Sequence, residues 1–178
     1  RLETLRRFVF ASSTRVFSQE SGEWVDETSA AGGDDFRVRR LLEGEATVSA
    51  LAIPTTRVRF GGIYGPGRER LLQRLSVEPR GAAAETYTNR IHRDDAAGFL
   101  AHLLEADPIA DLYLGVDSEP AKRITIHHWL RGQEPKRDDR PGNGKRCSNL
   151  RLLESGYSLL FPSFREGYAG LVAPESSL

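Results

Sequence analysis

The run Arg7-Phe-Val-Phe-Ala-Ser-Ser-Thr-Arg-Val-Phe17 limits what this chain can fold into more than any other stretch. Phe8 to Ala11 is too short and too continuously apolar for an amphipathic helix, and it predicts a strand covered on both faces, as in parallel sheets. Three hydroxyls, Ser12, Ser13 and Thr14, follow at its carboxyl end, the edge where open α/β sheets bind ligands. A doubly covered strand needs helices beside it, and the sequence offers them. Residues 18–34, rich in Ser, Glu, Asp and Gly, predict a surface loop, and residues 35–51 show helical spacing through Phe36, Val38, Leu41 and Leu42. Thr56 to Phe60 predicts the next strand, Gly61 to Gly67 breaks it, and Arg68 to Leu75 predicts a short helix. Strand, helix, strand, helix specifies the α/β class.

Further along, residues 76–86 carry little periodicity. Asp94 and Asp95 offer an N-cap and a first-turn acid for a helix to about Glu105, with Ala97, Phe99, Leu100, Leu103 and Leu104 as its apolar face. A third strand is predicted at 111–116, a helix at 124–130 and a polar linker at 132–146. Ser148 or Asn149 is placed to cap a turn before Tyr157, and a last helix is predicted from Phe164 to about Val172.

Composition narrows the function classes. The chain has 178 residues, enough for one domain with a real core. Its 25 basic and 25 acidic residues cancel, so no global field draws in nucleic acid or an anionic membrane, and neither is expected as a partner. A single cysteine, Cys147, excludes an internal disulfide and any multi-cysteine metal site, which fits a reducing, cytoplasmic setting. No apolar run approaches a membrane span and no signal-peptide pattern opens the chain. His102 and the His127-His128 pair lack the carboxylate neighbours and spacing of a metal site, so no metal is expected. The absence of methionine and the start at Arg1, just before a buried-type strand, suggest part of a longer gene product.

Four ordered segments carry a family resemblance. Phe8-Val-Phe-Ala-Ser-Ser-Thr-Arg-Val-Phe17 is similar to the strand and "S-S-x-x-V-Y-G" signature of the extended short-chain dehydrogenase/reductase superfamily, in its NAD-dependent epimerase/dehydratase group. Arg59-Phe-Gly-Gly-Ile-Tyr-Gly-Pro-Gly67 resembles that group's "R-x-x-x-V-Y-G-P-G", and Asn89-Arg-Ile-His-Arg-Asp-Asp95 its "R-x-I-H-V-D-D". The tail from Lys145, with Cys147-Ser-Asn149 and Gly156-Tyr157, resembles "K-x-S-N-x-x-L-x-x-L-G-W". Within the group the wording resembles the atypical YeeZ-like branch. The resemblance implies an α/β Rossmann-like parallel sheet. Residues 1–75 would form the C-terminal half of a dinucleotide-binding domain, and 76–178 a small α/β substrate lobe from which strand 111–116 returns to the main sheet. The family's Gly-x-x-Gly-x-x-Gly turn does not occur in the sequence.

What the resemblance implies for function is NAD- or NADP-dependent oxidoreductase chemistry on a nucleotide sugar or similar hydroxylated small molecule; the sequence leaves the oligomeric state open, a homodimer among the options. In the family a Tyr exchanges the proton, a Lys four residues later lowers its pKa and holds the nicotinamide ribose, and a Ser or Thr positions the substrate oxygen. Carried over by motif, Ser13 takes the hydroxyl role with Thr14 as fallback, Phe36 falls at the Tyr position and Arg40 at the Lys position. Ala11, Ser12, Arg40, Gly61, Gly62 and Ile63 are the implied cofactor contacts. Arg59, Tyr64, Arg68, Arg90 and His92 are the implied substrate contacts. A phenyl ring has no ionisable proton and arginine effectively never loses its own. A catalytically degenerate dinucleotide-binding sensor or interaction protein is therefore the alternative. Asp34, Asp35, Tyr64 and His92 are the other groups with a transferable proton near these motifs, although helix capping and core packing account for them as simply.

Overall fold

The computed structural model describes residues 5–68, 70–133 and 140–171. In chain order the elements are β1 (Phe8–Ser13), β2 (Ser21–Val25), α1 (Phe36–Ser49), β3 (Thr55–Phe60), β4 (Gly62–Tyr64) and α2 (Arg70–Ser76). They continue with β5 (Tyr87–Thr88), β6 (Arg90–His92), α3 (Arg93–Glu105), β7 (Leu112–Gly115), β8 (Ala121–Lys122), α4 (Arg123–Leu130), β9 (Gly144–Cys147), α5 (Leu150–Glu154) and α6 (Phe164–Ala169).

The three apolar strands pair in parallel in the order β1-β3-β7. Phe8 faces Thr55 and Ser13 faces Phe60, while Arg57 to Phe60 run beside Leu112 to Gly115. All three carboxyl ends therefore finish on one edge. Val58, Phe60 and Tyr113 bury one face against Phe99 and Leu103 of α3 and Leu152 of α5. Around the opposite turn Val16, Phe17, Val25, Val38, Leu114 and Val116 form a second cluster. Each helix covers a face that the continuous apolar strands cannot leave in water.

The loop predicted at 18–34 contains a strand. Its Ser21–Val25 segment forms β2, which runs parallel to β9, the end of the predicted 132–146 linker. Neither strand alternates cleanly, because the pair is small and Trp24 stands 56% exposed on its outer face beneath the Arg146 guanidinium. The pairing joins residues more than a hundred positions apart, a separation at which local pattern says nothing. Residues 134–139 of the linker lie outside the described residues, as does the predicted helix end at Val172. Gly62–Tyr64, expected only as a break, adds a short parallel pair with β6.

Helix caps refine the boundaries. Asp35 caps α1 by accepting the Arg37 N–H at 2.8 Å. His92, rather than Asp94, is the N-cap of α3, its ring nitrogen accepting the Asp94 N–H at 3.3 Å. Asp95 is fully buried and accepts the backbone N–H groups of Leu160 (2.7 Å) and Phe161 (2.9 Å), which ties the 157–161 loop to α3. Asn149 precedes α5 but gives its side-chain amide to the Val116 carbonyl and the Ser118 hydroxyl instead of capping.

Candidate functional site

Beyond the carboxyl ends of β1 and β3 the chain turns sharply, and the strands β4, β6 and β9 come up against these turns. Gly61 makes the closest approach: a Cβ there would stand 2.8 Å from the Asn89 carbonyl oxygen. Gly62 donates its N–H to that same oxygen at 2.9 Å. The Asn89 side chain donates to the Lys145 carbonyl at 2.9 Å and accepts the Cys147 N–H at 2.7 Å, so one residue pins β9 to the crevice. Packing against β6 accounts for glycine at 61 without any ligand, while Gly62 is open to solvent and Ile63 half-buried.

The hydroxyls divide into different roles. Ser12 is buried, and its Oγ donates to Glu45 Oε1 of α1 at 2.6 Å. The same carboxylate receives Arg59 Nε at 3.0 Å and Nη2 at 2.7 Å, and the guanidinium lies over the Phe17 ring at 4.9 Å. Burial pushes the Glu45 carboxyl up, but the Arg59 and Ser12 hydrogen bonds together hold it below its ordinary range. This two-pronged pair locks β1, α1 and β3 together, and it removes Ser12 and Arg59 from the residues free to hold a cofactor or a substrate phosphate. Ser13 is half-buried, and its Oγ accepts only the Arg15 N–H, at 3.2 Å, as the cap of a 3-10 turn over Thr14–Val16. Thr14 is buried in that turn, and Ala11 is exposed on β1.

The positions matched to the catalytic pair lie in solvent. Phe36 opens α1 with 61% of its surface exposed and the Arg37 guanidinium above its ring. Arg40 is 78% exposed at the side chain and pairs with Glu43 at 3.4 Å. Asp35 caps the helix and pairs with Arg15 at 2.9 Å, so it is occupied as well.

Three predicted substrate contacts are buried where β4, β6 and α6 pack together. Tyr64 is fully buried against Tyr168, ring centroids 4.5 Å apart, and burial pushes its phenol far up. Arg90 is fully buried, bonded to the Thr88 carbonyl and hydroxyl and lying over Phe164. His92 packs on Phe161 with centroids 3.9 Å apart, and desolvation lowers its pKa. Each reads from sequence as a polar residue near a motif. The side chains turn inward because β4, β6 and α6 close on one another, so each meets protein groups.

Arg68 behaves differently. It lines an open cleft of about 520 Å³ with Gly62, Ile63, Gly67, Arg70, Leu71 and Arg74. None of the three arginines forms an ion pair or side-chain hydrogen bond among the described residues. A separate hollow of about 550 Å³, walled by Trp24, Val25, Leu150 and Leu153, shares no residue with the strand-end hydroxyls or this cleft. Among the described residues no His, Cys, Asp or Glu group is arranged to hold a metal, and no helix is long and apolar enough to cross a membrane.

Sequence reasoning passed over Lys145. It was visible only as the first letter of the tail motif, and its place becomes evident once β9 pairs with β2. Its Nζ donates at 2.7 Å to the carbonyl of Phe17, the residue that closes the turn after β1. Burial lowers its pKa, and the nearby Cys147 and Glu20 only partly offset this.

For a nicotinamide cofactor the present residues fit one end. Ala11 and Gly62 are exposed, Ser13 and Ile63 are half-buried, and the Ser13 hydroxyl donates to no group among the described residues, whereas Ser12 is spent on Glu45 and Arg40 on the surface. The helix-opening glycine turn that cradles a pyrophosphate is not among these 178 residues.

A parallel sheet with helices on its faces and a ligand crevice at its carboxyl edge defines a Rossmann-type α/β protein. Neither a protein-family model nor a curated protein matches the sequence. Solved structures do. A protein from Methylobacillus flagellatus, described as an NAD-dependent epimerase/dehydratase, is 38% identical over 94% of this chain and 64% of its own, with a TM-score of 0.81. A conserved protein of unknown function from Silicibacter pomeroyi is 28% identical over 97% of this chain and 67% of its own, TM-score 0.73. The human epimerase family protein SDR39U1, solved with NADPH, is 20% identical at TM-score 0.74 over 94% of this chain and 65% of its own, a likeness of fold alone. The chain spans about two thirds of the length of these structures. Over nearly its whole length it is similar to NAD-dependent epimerase/dehydratase structures.

Proposed function

We propose that the chain carries the substrate side of an NAD(P)-dependent epimerase/dehydratase-type oxidoreductase acting on a nucleotide sugar or a similar anionic, hydroxylated small molecule. The observation that carries the proposal is the cleft of about 520 Å³ beside Gly62 and Ile63, where Arg68, Arg70 and Arg74 stand without carboxylate partners among the described residues. Unpaired guanidiniums around an open concavity are suited to phosphate oxygens, which they meet with paired N–H donors. Ser13 would meet a substrate hydroxyl or carbonyl. Ala11, Ser13, Gly62 and Ile63 would line the nicotinamide end of the cofactor, which when bound supplies the hydride acceptor or donor. NAD and NADP complexes are known for family-fold proteins such as the human protein solved with NADPH and a Bacillus cereus UDP-glucuronic acid 4-epimerase mutant solved with NAD.

The alternative, a binding protein without turnover, is favoured by the solvent position of Phe36 and Arg40. Calorimetry and NAD(P)H absorbance with a panel of UDP-, GDP- and dTDP-sugars separate the two. Turnover that falls on Ser13→Ala and whose KM rises on Arg68→Ala supports the enzyme. Sugar-nucleotide binding without turnover supports the binding protein, and neither binding nor turnover refutes both.

A further inference from the structure

This chain uses arginine 22 times and lysine three times, at 122, 136 and 145. Arginine stays charged at any physiological pH, while lysine is the cation whose charge responds to its surroundings. Lys122 is committed: its Nζ donates to Glu85 at 3.0 Å and to the Arg140 carbonyl at 2.8 Å. Lys145 has no carboxylate in an ion pair among the described residues. Its base is held at both ends, because Asn89 grips the Lys145 carbonyl and the Cys147 N–H, and its tip rests on the Phe17 carbonyl one turn beyond Ser13 and Thr14. One N–H is used and two find no partner among the described residues, on a half-buried lysine beside the turn that follows β1, the edge where ligands of this architecture bind.

Resting on the substrate site proposed above, we infer that Lys145 is a substrate-contacting residue, its ammonium binding a carboxylate or phosphate oxygen of the ligand beside Ser13. The alternative use of such a lysine is a tether between β9 and the turn after β1. A tether needs only the Phe17 bond, and an arginine, the residue this chain otherwise prefers, makes a carbonyl bond equally well. Placing a half-buried lysine with no ion-paired carboxylate among the described residues creates a position where an arriving oxyanion regains the stabilisation that desolvation removed. The neighbouring groups complete this setting: Cys147 is buried, Glu20 lies at longer range, and Arg15 is already paired with Asp35.

Trace acetylation of the intact chain followed by mass spectrometry reads each lysine separately. With no ligand, Lys145 should react with a midpoint below that of a free lysine amide; each unit of lowering makes about tenfold more free amine at a given pH. Inorganic pyrophosphate, or malonate as the carboxylate arm, should slow Lys145 labelling several-fold and raise its midpoint, while leaving Lys122 unchanged. Protection should persist in Arg68→Ala/Arg74→Ala, which separates Lys145 from the arginine cleft. Lys145 labelling that neither anion alters, or protection that vanishes with the two arginines, overturns the inference. Protection by anions in a chain that neither binds nor turns over any sugar nucleotide keeps Lys145 as an oxyanion site and refutes the proposed function. Sugar-nucleotide turnover with Lys145 indifferent to both anions does the reverse.

Discussion

Removing the Glu45 carboxylate is the most demanding test of how this fold holds its crevice. Glu45 is 2% exposed and takes three hydrogen bonds, from Ser12 at 2.6 Å and from Arg59 at 3.0 and 2.7 Å. In Glu45→Ala the Arg59 guanidinium, 7% exposed at the side chain, keeps only the Phe17 ring as a neighbour able to offset its charge. Breaking one side of a buried pair costs about 3–5 kcal/mol, because the other charge is left desolvated. For a chain of this size each kcal/mol corresponds to about 2–4 °C, so Tm should fall by roughly 6–20 °C. Urea unfolding should show the loss as a lower midpoint with an unchanged slope. Replacing both partners, Glu45→Leu with Arg59→Leu, should recover most of it, since an apolar pair leaves no orphaned charge. A Glu45→Ala loss below about 1 kcal/mol, or a double variant no better than the single, would refute the buried-pair account. The pH dependence has a definite sign. Glu45 has a folded pKa below its ordinary 4.5, so its stabilisation is fully present above that value and is lost as pH falls through the lower folded one.

Asp117 should show the opposite sign: burial, only partly offset by Arg90 at 4.0 Å, pushes its carboxyl from 3.8 up to about 7. Raising pH from 4 to 7 ionises it in the unfolded chain first, so stability should fall across that window and level off above it. Asp117→Asn should flatten the profile by at least ~1 kcal/mol between pH 5 and pH 8 in urea titrations, and an unchanged slope would count against the assignment. Cys147 is 1% exposed with its thiol pushed up to about 12 by burial, so iodoacetamide at pH 8 should label it only after unfolding. Fast labelling of the folded chain would contradict its position. Phe36→Tyr should not raise any oxidoreductase activity, and its phenol should titrate near the free value of about 10, because the side chain lies in solvent. A gain in NAD(P)H-linked rate would show that α1 turns this position toward the substrate.

The α/β class, the three parallel strands and the crevice edge were legible because each rests on local pattern. Phe8 to Ser13, Thr55 to Phe60 and Leu112 to Gly115 announce themselves as short apolar runs whatever their surroundings. The β2–β9 pair was not, since each strand gains its identity from a partner far along the chain. For the same reason the sequence does not tell the tail lysine, half-buried at a turn, from Arg90 and Tyr64, which are fully buried. A side chain's residue type travels with the sequence, but its direction does not.

By itself the sequence carried the family resemblance, the order of the three apolar strands and the main helices, the hydroxyl cluster at the β1 end and a Phe and an Arg at positions 36 and 40. Only the tertiary structure decided which polar groups are free to meet a ligand. It spent Ser12 and Arg59 on Glu45, buried Tyr64, Arg90 and His92, left Ser13 half-buried at the β1 end and Arg68 in an open cleft, and laid Lys145 on the Phe17 carbonyl. The physical reason is the cost of desolvation: a buried polar group must find a partner within the fold, and which partner it finds depends on contacts between distant segments that no local pattern encodes.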